Sequence, residues 1–356
     1  MKNILNNGIK SICTFLILGF VLVSCNKKAD ENESEMSSSM NINEDELHTK
    51  AKAIFKELPS VMPGSENDNA ALIELGKTLY FEKKLSSTGT QSCNTCHNLN
   101  NGMAGVDNEP TSAGAVKGNL GTRNSPTTLN AGFHFVQFWD GRATDLKEQA
   151  KGPMLNLVEM GMKDEKAVVK TIAAIPEYKT MFANAYDKVK TNEQITYDNL
   201  ANAIAAFERT LVSKSKFDDY LAGDKSAFNN DEKKGLNTFM ETGCITCHSG
   251  ALLGGNMYQK MGLINPYENA KDLGREEVTK NEADKFMFKV SSLRNSAKTA
   301  PYFHDGAVKE LKEAVIKMAW MQLNKKLTDQ EATSIVTFLN ALSDKRFDSN
   351  KSITIK

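Results

Sequence analysis

Two copies of one five-residue pattern constrain this chain more than any other feature: Cys93-Asn94-Thr95-Cys96-His97 and Cys244-Ile245-Thr246-Cys247-His248. Two thiols three apart, followed directly by a histidine, can form two thioether bonds to one haem while the imidazole reaches its iron. A zinc knuckle or a CxxC redox pair would use the same cysteines. Neither needs His97 and His248. The spacing therefore predicts two covalently attached c-type haems, one per motif, and a fold that wraps each of them.

The two remaining cysteines lie near the start of the chain. Met1 to Ser24 carries Lys2 and Lys10 ahead of an apolar run from Ile12 to Val23, too short for a comfortable transmembrane helix, and reads as a secretory signal. It ends in Leu22-Val23-Ser24-Cys25, which resembles a bacterial lipobox. On that resemblance Cys25 is lipidated, becomes the first mature residue and anchors the chain to a membrane; an ordinary signal peptide cut nearby would leave it a lone thiol. Cys13 is discarded with the signal, and no pair is left for a disulfide. Haem is attached to such motifs outside the cytoplasm in bacteria, so the signal and the motifs agree on an exported protein on the periplasmic side of a membrane, inner or outer.

From Cys25 to Glu46 the chain is polar and acidic with too few apolar side chains to bury anything, and is expected to be a flexible tether, about 70 Å long if stretched. Basic and acidic residues balance at 44 each, which gives no reason to expect nucleic acid or a strongly charged partner, so any partner surface is local. The remaining residues suffice for two domains, expected at 47–210 and 211–356.

Helical periodicity dominates both. Asp198 to Val212 places Leu200, Ile204, Phe207 and Leu211 on one face behind Thr196, and Thr328-Asp329-Gln330-Glu331 is a capping box. Ala70–Phe81, Asp164–Ile175 and Asp231–Glu241 read alike, and no stretch alternates long enough for a substantial strand. Long Gly-, Asn- and Ser-rich segments, Asn98–Gln137 and Ser249–Asp305, follow the motifs; such lengths suit loops that enclose a haem. The halves also share Arg123-Asn124-Ser125 with Arg294-Asn295-Ser296, Phe138-Trp139-Asp140-Gly141 with Phe303-His304-Asp305-Gly306, and Asp145-Leu146-Lys147-Glu148 with Glu310-Leu311-Lys312-Glu313. An all-α fold of two cytochrome c-like haem domains related by internal duplication follows.

The duplication carries an asymmetry. Thirteen residues after Asp305 stands Met318, a thioether able to cap an iron that only passes electrons, with Met321 one turn on as its rival; thirteen after Asp140 stands Pro153, which ligates nothing. The second haem is then closed by His248 and Met318, and the first, on His97, keeps an open face for a small substrate.

These residues resemble the bacterial di-haem cytochrome c peroxidases from about Leu47 to the last helix, through SCNTCHN, GTRNSPTTLNAGFHFVQFWDGRATDLKEQAKGPMLNLVEM, GCITCHSG and TAPYFHDGAVKELKEAVIKMAWMQL. The resemblance implies reduction of hydrogen peroxide at the first haem, with electrons entering at the second from a small cytochrome c or a blue-copper protein. It implies Glu159 as catalytic acid and base, Gln149 as the distal glutamine, Trp139 between the haems, and a calcium ion on Asn124, Thr299 and Pro301, with a homodimer as the usual assembly. One departure stands out: where most of the family has a Gly-His pair whose histidine caps the resting first haem, this chain has Gly114-Ala115. His134, Met103 and Lys117 lie in the same segment as substitutes, although His134 suits a packed position better. His48 is expected in solvent, and His304 as a contact to a haem propionate. The competing classes are a di-haem electron-transfer cytochrome, which needs both irons capped, and the related group that oxidises tryptophan on a partner protein, which closes its second haem with tyrosine.

Overall fold

Helix starts are set locally, by side chains that satisfy the first-turn N–H groups. The structure, a computed structural model, describes residues 43–100 and 102–349; the signal, Cys25 and most of the tether lie outside them. Among the described residues the helices are α1 (Glu44–Ile54), α2 (Ala70–Tyr80), α3 (Cys93–Cys96), α4 (Leu146–Leu155), α5 (Glu165–Ala173), α6 (Pro176–Ala185), α7 (Thr191–Gln194), α8 (Tyr197–Glu208), α9 (Lys216–Ala222), α10 (Asn230–Thr242), α11 (Glu276–Thr279), α12 (Leu311–Leu323) and α13 (Asp329–Ala341). Two short strands, β1 (Tyr258–Lys260) and β2 (Met287–Lys289), pair antiparallel with Tyr258 opposite Lys289. Thr196, Asp164, Asn229 and Thr328 cap α8, α5, α10 and α13, and the Thr328–Glu331 box is formed.

Two expectations near the start need correction. Residues 44–46, assigned to the tether, form the first turn of α1 behind the Asn43 cap, where three successive acids favour the positive end of the helix dipole. His48 is not left in solvent: its Nε2 lies 2.9 Å from the Tyr220 carbonyl and its ring meets Tyr220 edge-on at 5.2 Å.

The described residues form one compact unit, within which buried apolar side chains gather in two large clusters. One runs from Leu72 to Leu211 and is centred on α2 and α8; the other joins Phe217, Leu236, Phe239 and Phe338 to Leu47, Ala51 and Phe55 of the N-terminal segment. Each cluster is crossed by a helix pair at its closest approach through a glycine. A Cβ on Gly76 of α2 would lie 1.7 Å from the Ala203 carbonyl oxygen of α8, and one on Gly235 of α10 would lie 2.2 Å from that of Ser334 on α13. Only glycine admits this contact, so in each pair the helix that precedes a CxxCH packs backbone to backbone on one that follows it.

Residues 130–146 and 295–311 then follow one conformational course. Asn130 and Asn295 are left-handed (φ 63° and 62°), a 3-10 turn follows each, and Phe138 and Phe303 (64° and 71°), then Gly141 and Gly306 (67° and 63°), are left-handed again. Gln137 bridges Ala143 as Tyr302 bridges Val308, and the Oδ1 atoms of Asp140 and Asp305 accept from the backbone N–H two residues on. Helices α4 and α12 start at matching positions, so Pro153 and Met318 are both eighth residues of their helices. The register also corrects one pairing read from sequence. The partner of Asn295 is Asn130, not Asn124, because the left-handed backbone, rather than the Arg-Asn-Ser string, defines the equivalence.

Candidate active site around the first CxxCH motif

The four-residue helix α3 lifts Cys93 and Cys96 to the wall of a cavity of about 510 Å3, and His97 follows at its C-terminus. Its ring is oriented from behind: Nδ1 lies 2.9 Å from the Pro126 carbonyl, and the Tyr80 hydroxyl donates to the His97 carbonyl at 2.6 Å. Desolvation lowers the His97 pKa, which the Pro126 carbonyl only partly offsets, so the ring is neutral with its Nε2 lone pair free to bind a metal. His248 repeats the device, with Nδ1 2.9 Å from the Leu253 carbonyl and a pKa lowered by burial.

The cysteines fit thioether attachment better than zinc. Burial pushes the Cys93 thiol up, Cys96 to about 11 and Cys244 to about 12. Among the described residues no three His, Cys, Asp or Glu side chains converge on a metal position, and the four described cysteines form no disulfide.

The opposing chemistry comes from α4. Leu146, Gln149, Ala150, Pro153 and Met154 all line the cavity, the i, i+3, i+4, i+7, i+8 face of one helix. After Leu155 the chain turns back on Asn156, whose carbonyl accepts from Glu159 and Gly161, with Gly161 left-handed. That turn aims Glu159 into the same cavity. Its Oε1 accepts from Asn156 Nδ2 at 2.9 Å; desolvation raises its pKa, while the Arg142 charge and the Asn156 hydrogen bond pull it back. The Ala115 N–H donates to the Glu159 carbonyl at 2.6 Å, and Ala113 lines the cavity.

Of the three candidate substitutes for the missing histidine, only His134 lines this cavity, and its Nδ1 is 2.8 Å from Lys289 Nζ. Trp139 lines it too, donating from Nε1 to the Asn124 carbonyl at 2.8 Å, with its ring 6.4 Å from that of His304. His304 lines a second cavity of about 180 Å3, stacks on Phe288 at 4.2 Å, and has a buried Nε2 with no partner. Arg123 and Asp272 form a two-bonded pair (2.6 and 2.7 Å) that joins the same two cavities.

The second set of expected ligands is less gathered. Cys244, Cys247, His248 and Met318 do not line the second cavity; β1 links Cys247 to it, with Gln259 Nε2 3.8 Å from Cys247 Sγ and Lys260 in the lining. Met318 is half-buried on α12, and Met321, one turn on, is buried with its carbonyl held by the Ile264 and Asn265 N–H groups. Asn124 donates its backbone N–H to the His304 carbonyl at 2.7 Å, and the Asn108 amide lies 2.6 Å from the Ala300 carbonyl, between Thr299 and Pro301.

Sequence reasoning missed Glu208, a fully enclosed acid lining the first cavity, with one unpartnered oxygen and a pKa raised by burial to about 8. The signal was present, since Glu208 continues the apolar face of α8 four residues beyond Ile204. Lys289 gave no such signal.

Residues 70–226 match the family model described as di-haem cytochrome c peroxidase. The chain is 48% identical to the cytochrome c551 peroxidase of Nitrosomonas europaea, covering 78% of this chain and 81% of that one. It is 46% identical to the cytochrome c551 peroxidase of Pseudomonas aeruginosa, covering 85% and 88%. A solved MauG-like protein associated with microbial copper homeostasis superposes with a TM-score of 0.73 at 26% identity, covering 85% of this chain and 98% of the other. The di-haem peroxidase BthA of Burkholderia thailandensis shares the fold, with a TM-score of 0.68 at 18% identity over 82% of this chain and 90% of that one. The chain belongs to the di-haem cytochrome c peroxidase family.

Proposed function

We propose that this protein reduces hydrogen peroxide to two waters at the cavity around His97, taking two protons and two electrons, the latter from a small cytochrome c or a blue-copper protein by way of the second CxxCH. The observation that carries the reading is the convergence of Cys93, Cys96 and His97 with Gln149 and Glu159 on one cavity, where Pro153 replaces the methionine of the second half. When bound, haem supplies the redox iron at which peroxide is cleaved. The protein does the rest. His97 presents a neutral Nε2, Gln149 orients the peroxide oxygens by hydrogen bonding, and Glu159 takes the proton of one oxygen and returns it to the departing one.

Both haems are read as covalent and the halves as a duplication, supported by the shared backbone course of 130–146 and 295–311. Domains at 47–210 and 211–356 follow, with α1 docked on the second cluster. His248 and Met318 would close the second haem, and Trp139, packed on His304, would lie in the electron path. The oxygens of Asn124, Thr299 and Pro301 are hard donors suited to calcium. Cys25 as lipid anchor places the enzyme at the periplasmic face, as a homodimer; no helix among the described residues is long and apolar enough to cross a membrane.

The test is peroxide consumption with a reduced small cytochrome c as donor, comparing fully oxidised protein with protein reduced beforehand by one electron. Immediate, equal turnover is expected, because Ala115 cannot cap an iron. Turnover only after pre-reduction would show another residue in the cap's place, and no turnover in either state would favour an electron-transfer cytochrome.

A further inference from the structure

Successive residues of a strand point to opposite faces, and β2 lies between the two cavities. Phe288 lines the second and Lys289 the first. The second half of the chain thus supplies a cation to the first cavity, at a residue only 6% exposed. Lys289 Nζ donates to His134 Nδ1 at 2.8 Å and to the Val136 carbonyl at 3.1 Å, and its backbone N–H donates to the Trp139 carbonyl at 2.8 Å. An ammonium has three N–H groups, and the third has no acceptor among the described residues.

Its charge is also unbalanced. Desolvation pushes Lys289 down to about 7, with Asp140 only partly opposing it, and Asp140 already accepts from both Arg123 and Arg142. His134, whose pKa desolvation holds well below its ordinary value, is neutral and brings no countercharge. A buried cation at a cavity wall is costly unless an anion meets it there. A haem brings two carboxylates.

We propose that Lys289 binds a carboxylate of the haem held at the first CxxCH, so that β2 of the second half completes the first haem's binding site. This rests on the reading that haem occupies that cavity, which a count of two haems per unsubstituted chain tests separately. Lys289 then couples the halves directly: the strand that carries it also carries Phe288, against His304 and the second cavity. A positive charge on the haem carboxylate favours the reduced haem.

The experiment is a spectroelectrochemical titration at pH 6 of the two-haem protein and its Lys289→Gln and Lys289→Arg variants. Lys289→Gln should lower the reduction equilibrium constant of the first haem about tenfold, about 59 mV for a one-electron couple, with the second haem changed less than twofold. Lys289→Arg, which keeps the charge, should stay within twofold of the parent. A first-haem equilibrium within twofold of the parent in Lys289→Gln overturns the proposal. Should that variant not accumulate, redox-difference infrared spectra of the unsubstituted protein decide: bands that move on 15N-lysine labelling when the first haem is reduced support the contact, and their absence refutes it.

Discussion

Glu159→Gln isolates the proton chemistry proposed for the first cavity. Glutamine keeps the side chain's length and an oxygen for the Asn156 amide, which donates to Glu159 at 2.9 Å, and the backbone anchor from Ala115 is untouched. The fold, both haem spectra and peroxide access should therefore survive, while the group that carries the proton is lost. General acid–base catalysis contributes roughly 10²–10⁴-fold, about 2.7–5.4 kcal/mol of barrier, and turnover should fall by that factor. The pH profile adds a sign. Burial raises the Glu159 pKa above 4.5, with Arg142 and Asn156 opposing it, and a base acts ionised. In the parent, kcat/KM should therefore fall as pH drops through that raised value, and in the variant this acid limb should vanish. The assay is steady-state oxidation of a reduced small cytochrome c by peroxide across pH. A variant with two haems that retains turnover within tenfold of the parent, or keeps the same acid limb, refutes the role.

Met318→His should lower the potential of the second haem and slow its reduction by donors; if only Met321 variants do so, the ligand lies one turn further along α12. Arg294→Met should cost roughly 3–5 kcal/mol in urea unfolding at pH 7, because it strips a buried Asp218 of two 2.7 Å bonds. Burial alone would raise the Asp218 pKa, but Arg294 and the Ser215 and Leu58 N–H groups hold it below 3.8. That contribution is complete above 3.8 and is lost as pH falls through the depressed folded value, so parent and variant should converge in stability in acid; a constant difference would refute the pairing. Chelating calcium should lower the thermal midpoint by loosening Asn124 from the 299–301 segment; an unchanged midpoint and turnover would remove the ion from the site.

Much of this architecture is legible in the order of residues. The CxxCH motifs, the caps at Asp164, Thr196 and Thr328, and the equivalence of Pro153 with Met318 are local or periodic signals, carried by side chains acting on their own turn or their own helix. Gln149 and Pro153 share a face because they are four apart, and that too is visible before folding. Other features are not local. Glu159 reaches the cavity only through the turn on Asn156, and His48 leaves solvent only because α1 crosses to Tyr220. The Arg-Asn-Ser strings matched in letters but not in backbone, since conformation is decided by what surrounds Asn130 and Asn295.

By itself, the sequence pointed to two haem-attachment motifs, a helical fold and two unlike halves, because covalent spacing and helical period need no partner to be read. Only the tertiary structure decided what meets across those halves: Lys289 against His134, Arg123 against Asp272, Trp139 against His304. Those pairs lie more than a hundred residues apart in the chain, so only the folded structure sets their side chains beside one another.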